Sequence, residues 1–490
     1  MWYNVDMATL EEYREERLKK LAEIRARGIE PYPSKSFRDT EIREVIENFT
    51  EKQGSIVTVA GRIVAIRSFG KLAFVKIRDE SGEVQIFMKS ENEVPSGRLG
   101  VSDIKLLDLG DFVEASGTVD KSQTGEISVF ANSVRLLVKS LRPLPGRDGF
   151  TNKEERYRRR YVDMNVNPEV RERLIRRSKF WQATREYMIK NGFTEVNIPV
   201  LEHTTGGADA TPFVTHMNAL DEDFYLRISH ELPLKGLLGG GFEKVFDIGP
   251  RFRNEGVDDE HLPEHIAFEA YAAYQNFEDG IPFYEEMMKY VAKETWGTLQ
   301  FKVGGFEINL DCEWPRVKYA DIMKKEFNID VFSVDENTLY DILQREKVEV
   351  KPGLSRARLI DHLWKVVRKR SAGPFWLVEE PLELSPLAKT SSENPLVTER
   401  FHPVIAGTEM GNGFSELNDP EDQLNRFLEQ QRMRDNGDDE AQMLDRDFVE
   451  MLEFGMPPAC GWGNSERNFW LLEGVSGREA VPFPIIRAKE

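Results

Sequence analysis

Cysteine is scarce in this chain: Cys312 and Cys460 are the only two among 490 residues, they lie far apart, and no CxxC pair occurs. A disulfide framework or a cysteine zinc site is therefore not expected, and a cytosolic compartment is the default. Long apolar runs are missing too. No stretch approaches the roughly 18 apolar residues that announce a membrane-spanning helix, and the N-terminus, MWYNVDMATLEEYREERLKK, has no apolar signal core. Nucleotide-binding glycine loops are absent in their usual forms. GLLGGGFEKV has no Lys-Ser/Thr after its glycines, CGWGNSER ends in arginine, and no GxGxxG follows a strand. P-loop and Rossmann chemistry are thereby set aside. Nor is there a Ser-His-Asp or Cys-His constellation for nucleophilic catalysis, or an internal repeat that would make a solenoid.

Positive charge is outweighed as well: 66 Lys and Arg stand against 85 Asp and Glu, a formal charge of −19. Such a chain does not hold nucleic acid by bulk electrostatics, although a local basic patch can act within an acidic whole. The densest basic runs are KEERYRRRYVD (Lys153 to Asp163) and RERLIRRSK (Arg171 to Lys179). The length allows two or three domains with separate cores.

Residues 8–30 read as a charged helix ended by Gly28 and the Pro31/Pro33 pair. From about Ile56 to Val138 the pattern turns to five short strands separated by turn signals, which suggests a small closed barrel of the OB kind. Alternation puts Val75, Ile77, Val84, Ile86 and Met88 inside, leaving Phe74, Lys76, Arg78, Gln85, Phe87 and Lys89 outside. Exposed aromatics interleaved with bases suit unpaired nucleotides, each stacked base being worth roughly 1–3 kcal/mol. RPLP and GRDGF then form a linker. A helix follows with apolar Leu174, Phe180, Trp181, Tyr187 and Met188, then FTEVNIPVLEH, a strand broken by Pro199. Residues 276–375 mix helix and short strands and read as insertion and packing.

The centre of the chain is FEKVFDIGPRFRNEGVDDEHLPEHIAFEAYAAY (242–274), which reads as two strands joined by a polar loop. Phe246, Ile248, Phe252, Ile266, Phe268 and Tyr274 fall on core faces, while Asp247, Arg251, Arg253, His265, Glu269 and Tyr271 fall on the opposite faces. A strand face merely exposed to water would carry Lys, Thr and Ser; this one looks like the wall of an anion site.

The FRNEG stretch (Phe252 to Gly256) resembles motif 2 of the class II aminoacyl-tRNA synthetases, and GFTEVNIPVLE resembles their motif 1. TGGADATPFVTHMNALDEDFYLRISHELPLK, SPLAKTSSENPLVTERF and GNGFSELNDPEDQ are similar to the lysyl enzymes in particular, and the likeness runs from about Leu10 to the C-terminus. It implies an α+β chain: an N-terminal arm (1–50), an OB-fold anticodon-binding domain (51–146), and a class II catalytic domain (147–490), an antiparallel sheet flanked by helices, with a helical insertion at about 315–375. It also implies ATP-dependent activation of L-lysine and transfer to tRNA(Lys), by a homodimer with Pro199 at the interface, with Mg2+ as cofactor and with neither membrane nor DNA as partner.

By that resemblance Arg253 grips the α-phosphate and the lysine carboxylate, Glu255 reads the adenine amino group, and His261 and Arg467 hold the outer phosphates. Glu416 receives the side-chain ammonium with Tyr271 beside it. Glu231, Glu269 and Gly207 lie near the α-amino group, and Asn412 and Phe414 complete the pocket. Glu409 is the expected metal ligand, yet alternation puts it opposite Asn412, Phe414 and Glu416 unless a bulge at Gly411 or Gly413 intervenes. Arg67, Phe74, Gln85 and Glu126 match anticodon-reading positions. The chain departs from the family pattern at three points. His402 in Arg400-Phe401-His402 replaces a metal carboxylate, His265 replaces the aromatic that stacks on adenine, and motif 3, Gly461 to Arg467, is one residue short. A non-catalytic RNA-binding paralogue and a sister aspartyl or asparaginyl enzyme are the alternatives. Glu416 opposes an acidic substrate, and the joint presence of Arg253, Glu255, His261, Glu416 and Arg467 opposes loss of catalysis.

Overall fold

The structure, a computed structural model, describes residues 7–90, 93–146, 149–259, 261–351, 353–435 and 441–489. The chain separates into two compact units, residues 1–168 and 169–490.

In the first unit a helix runs Met7–Ala26, and Gly28, at φ +70°, turns the chain where a Cβ would be strained. The barrel has six strands rather than five, because the last expected run breaks at 132–134 into Ile127–Ala131 and Arg135–Val138. Ile56–Phe69 pairs with both Leu72–Arg78 and Phe112–Lys121, which closes five of the strands into a barrel and leaves Arg135–Val138 at its side. Alternation holds through Leu72–Arg78 and Glu83–Lys89: Val75, Ile77, Val84, Ile86 and Met88 all enter the core. Part of the expected linker, 147–148, lies outside the described residues.

The second unit is built on a mainly antiparallel sheet. In spatial order its strands are Arg316–Lys318, Phe375–Val378, Arg400–Ile405, Asn412–Ser415, Ala459–Ser465, Glu264–Ala273, Lys244–Phe252 and Thr194–Glu195. The two outermost pairings are parallel. Period-2 burial gives the sheet two different faces. Phe246, Phe268, Phe401 and Trp462 pack under helices Pro168–Lys190 and Phe277–Trp296. The second of these helices is started by Asn276, whose side chain caps the amides of Glu278 and Asp279. On the opposite face Val245, Tyr271 and Phe414 meet Leu234 and Leu238 of helix Glu231–Gly239.

The central hairpin pairs Asp247 with Glu269 and Arg251 with His265, so the polar residues read from the sequence do share one side. Tyr274 departs from expectation. It lies past the strand end at φ +62° and is 71% exposed, so it is not a core residue. FTEVNIPVLEH yields two short strands in different sheets, Thr194–Glu195 and Leu201–Glu202, with Pro199 exposed between them. Helices Tyr319–Phe327, Glu336–Arg345 and Arg356–Lys369 enclose a core of their own. In the last of these Leu359, Ile360, Leu363, Trp364 and Val367 recur at helical spacing. Among the described residues no helix is long and apolar enough to cross a membrane.

Candidate active site

The polar side of the hairpin opens into a cavity of about 630 Å³. Of the residues expected near ATP, Arg253, Glu255, His261, His265 and Arg467 all line it. Of those expected around lysine, Gly207, Glu231, Glu269, Tyr271, Asn412 and Phe414 line it too. Glu416 stands immediately behind the wall, its Oε1 in the space that a Cβ on Gly461 would need, beside the Tyr271 ring. That oxygen has no hydrogen-bond partner among the described residues.

Glu269 is heavily engaged. It accepts from Ser229 Oγ at 3.0 Å, from Tyr271 OH at 3.1 Å and from the His230 amide at 3.3 Å, and Arg251 stands 3.5 Å away. Burial works to raise this carboxyl, but His230 and the Arg251 charge outweigh it and hold it down at about 2. It is a fixed anion at any working pH. Gly207, at φ +81°, lies against Glu231: a Cβ there would come within 2.7 Å of Glu231 Cβ and of Ser229 Oγ.

Arg251 and Arg253 line the same cavity. Burial first, then the neighbouring Arg251, lowers Arg253 to about 10, so it remains cationic near neutral pH. His265 is pushed well below the usual histidine value by burial and by Arg251 and Arg253. It is therefore neutral, and with Leu262 O at 3.2 Å its Nδ1 is assigned as the protonated nitrogen. A neutral imidazole can lie flat against a base without bringing a third cation. His261, on the exposed loop, has Nδ1 2.9 Å from Asp258 Oδ2. Arg467 ends motif 3 and opens helix Arg467–Glu473, and its place is set by its neighbour. Buried Glu466 accepts from Arg177 Nε at 2.8 Å and from the Ile266 amide at 3.0 Å.

Glu409 also faces the cavity. The strand is interrupted at Met410–Gly411, between Thr408–Glu409 and Asn412–Ser415, with Gly411 at φ +152°. That break resets the alternation that sequence phase alone would impose. His402 is buried between Glu380 and Glu409, with its nitrogens 3.5 and 3.7 Å from their oxygens. Glu380 in turn accepts from Arg400 at 2.8 Å. Trp364 Nε1 donates to Glu409.

That tryptophan exposes what sequence reasoning missed. Ser355, Arg358, Asp361, Trp364 and Lys365 line the cavity, so the insertion is a wall of the site and not packing alone. No local motif marks this, because the contact joins segments far apart in the chain. Lys235 was missed as well, although its i,i+4 spacing from Glu231 was a usable signal.

In the other unit Arg67 pairs across strands with Phe74, and Phe74 with Phe87. The rings of Phe74, Phe87 and Phe130 form a row with centroids 5.0 and 4.9 Å apart. Gln85 Nε2 donates to Ser128 Oγ at 2.9 Å, and Glu126 lies 3.8 Å from Lys76.

A sheet of this order with an arginine-walled cavity, and a closed barrel bearing an aromatic row, are matched by two family models. One describes tRNA synthetases class II (D, K and N) over residues 152–487, the other an OB-fold nucleic acid binding domain over 57–137. The chain belongs to that class II tRNA synthetase family, and within it to the lysine–tRNA ligases. It is 41% identical to the lysine–tRNA ligase of Thermotoga maritima, covering 98% of this chain and 97% of the relative. The ligases of Fervidobacterium nodosum and Carboxydothermus hydrogenoformans are each 43% identical. They cover 98% and 97% of this chain, and 94% and 98% of their own lengths.

Proposed function

We propose that this chain activates L-lysine with ATP, releasing pyrophosphate, and transfers the lysyl group to the 3′-terminal ribose of tRNA(Lys). The observation that carries this reading is Glu416: a carboxylate 1% exposed, with an unpartnered oxygen, just behind the wall of a cavity that Arg253 and Arg467 also line. Such a carboxylate is stabilised by a cation. Aspartate would instead bring a further carboxylate against it, which disfavours the sister enzymes.

The chemistry needs position and charge rather than a nucleophile from the protein. The lysine carboxylate oxygen attacks the α-phosphorus, the bond from that phosphorus to the bridging oxygen breaks, and pyrophosphate departs. Arg253 holds carboxylate and phosphate together, since a planar guanidinium can bond both at once. Arg467 and His261 take up charge on the leaving phosphates, His265 stacks on the adenine, and Glu255 reads its amino group. Glu231, Glu269 and Gly207 lie near the α-amino group; Tyr271, Asn412, Phe414 and Glu416 hold the side chain.

Mg2+ arriving with ATP supplies neutralisation of phosphate charge. Glu409 fits it: a hard oxygen donor held by Trp364, in a role that needs one or two carboxylates beside the phosphates. His402 does not fit, because imidazole nitrogen suits a hard cation poorly. Among the described residues no group of three or more His, Cys, Asp and Glu forms a ready metal cage. Arg67, Phe74, Gln85 and Glu126 read the anticodon, Pro199 lies at a homodimer interface, and the enzyme works in the cytoplasm. The arm is 1–50, the anticodon domain 51–146 and the catalytic domain 147–490.

Amino-acid-dependent ATP–pyrophosphate exchange across all the standard amino acids, over a magnesium titration, tests this. Exchange with lysine alone is expected. Exchange with aspartate or asparagine would overturn the role of Glu416, and silence with every amino acid in protein that still binds tRNA would leave a non-catalytic RNA binder.

A further inference from the structure

Lys235 has no part in the roles above, yet it is the most enclosed cation of the site. Its side chain is 0% exposed, and Nζ lies 2.6 Å from Glu231 Oε1 and 2.5 Å from Glu416 Oε2. The rings of Phe414 and Phe448 stand 5.3 and 5.8 Å from the same nitrogen. Glu231 is its neighbour one turn back on helix Glu231–Gly239. Glu416 arrives from the end of strand Asn412–Ser415. Two carboxylates and two rings leave this ammonium no room to swing away.

The charge count is short by one: two carboxylates against one ammonium gives −2 + 1 = −1. The other cations nearby are engaged elsewhere, Arg400 adding only a longer-range pull on Glu231. Glu269 has its own cation in Arg251 at 3.5 Å, and Arg400 is taken by Glu380 at 2.8 Å. Tyr271 and Cys460 are pushed well above their usual values, chiefly by burial, and stay neutral. Inside the protein an uncompensated charge is expensive, so the pair holds either a proton or a ligand cation.

We propose that Lys235 sets specificity by charge count, tying Glu416 Oε2 and neutralising one of the two carboxylates so that Oε1 and a single negative charge remain for one alkylammonium group. This rests on the reading that Glu416 receives the side-chain ammonium of lysine. Burial pushes Glu416 above the usual carboxylate range against the opposing pull of Lys235. A proton and the substrate ammonium therefore compete for it, and removing Lys235 moves the competition to higher pH. A neutral side chain of similar shape leaves the charge uncompensated, which is why the pocket rejects it.

The test is lysine-dependent ATP–pyrophosphate exchange from about pH 6 to about pH 9.5 with the wild-type chain, Lys235→Met and Lys235→Gln. Met keeps the shape, while Gln keeps N–H donors for both carboxylates. If Met does not yield folded protein, Gln decides. Both variants should raise KM for lysine about 30-fold or more near neutral pH, the scale for truncating one partner of a buried charge pair. KM for ATP should be unchanged, and the defect should shrink toward alkaline pH. A folded variant with wild-type KM and pH profile overturns the proposal. So does an equal loss for both substrates with an unmoved pH profile, which would mark a structural brace. Absence of lysine-dependent exchange in the wild-type chain would instead remove the reading underneath it.

Discussion

The glycines of strand Ala459–Ser465 are required by what lies over them. Gly461 leaves the space taken by Glu416 Oε1 and the Tyr271 ring, and a Cβ on Gly463 would come within 2.8 Å of Glu269 Cγ. The strand thus makes room for two of the site's carboxylates, and glycine's lack of a side chain is used for close approach rather than for backbone freedom. Gly461→Ala should displace Glu416 or Tyr271 and destabilise by about 1–3 kcal/mol through overpacking. A thermal melt should show a modest loss, and exchange assays should show KM for lysine rising while KM for ATP holds. Unchanged lysine KM in a folded variant would mean that Glu416 is not where the substrate ammonium is held. Much of this was visible at the residue scale: hairpin alternation placed Arg251, His265 and Glu269 on one side, and they share it. The Lys235 pairing was not, because Glu416 reaches it only through tertiary folding.

Whole elements were legible to the extent that one face of each met the core. Strands Leu72–Arg78 and Glu83–Lys89 show the expected alternation without exception, since a one-residue slip would expose every core side chain. Phase failed at Glu409 because the strand breaks at Gly411, and a break of this kind resets which side a residue faces. Tyr274 failed for a related reason, the strand having ended one residue earlier. Helix Arg356–Lys369 was legible as a helix and illegible as a site element. Its apolar stripe accounts for its fold, but only contact with a distant strand gives Trp364 its place against Glu409. The Trp364→Phe variant keeps a large apolar ring in that core and removes the N–H donor. It should leave lysine KM unchanged while the magnesium requirement and KM for ATP rise about tenfold or more, the scale of losing one charge-assisted hydrogen bond at about 1.5 kcal/mol or more. A magnesium titration of the exchange reaction reads this directly, and a variant with wild-type magnesium dependence would leave the inserted helix as packing.

For the molecule as a whole, the two compact units divide the proposed work between recognising RNA and activating lysine. Activation as measured by pyrophosphate exchange consumes only lysine and ATP, whereas aminoacylation also requires tRNA, so damage to the barrel should separate the two assays. Phe87 is the test position, because its ring stands between Phe74 and Phe130 in the aromatic row while its strand neighbours Ile86 and Met88 supply the core. Phe87→Ala should leave exchange intact and raise KM for tRNA about 10- to 100-fold, the range for losing one stacked base at roughly 1–3 kcal/mol. With a net charge of −19 the chain has little bulk attraction for RNA to compensate. The loss should therefore persist at low ionic strength, where a basic protein would recover affinity through phosphate contacts. A variant that fell equally in both assays would tie the aromatic row to folding of the barrel rather than to bases. One that recovered fully at low salt would assign tRNA binding to the basic runs at 153–163 and 171–179 instead.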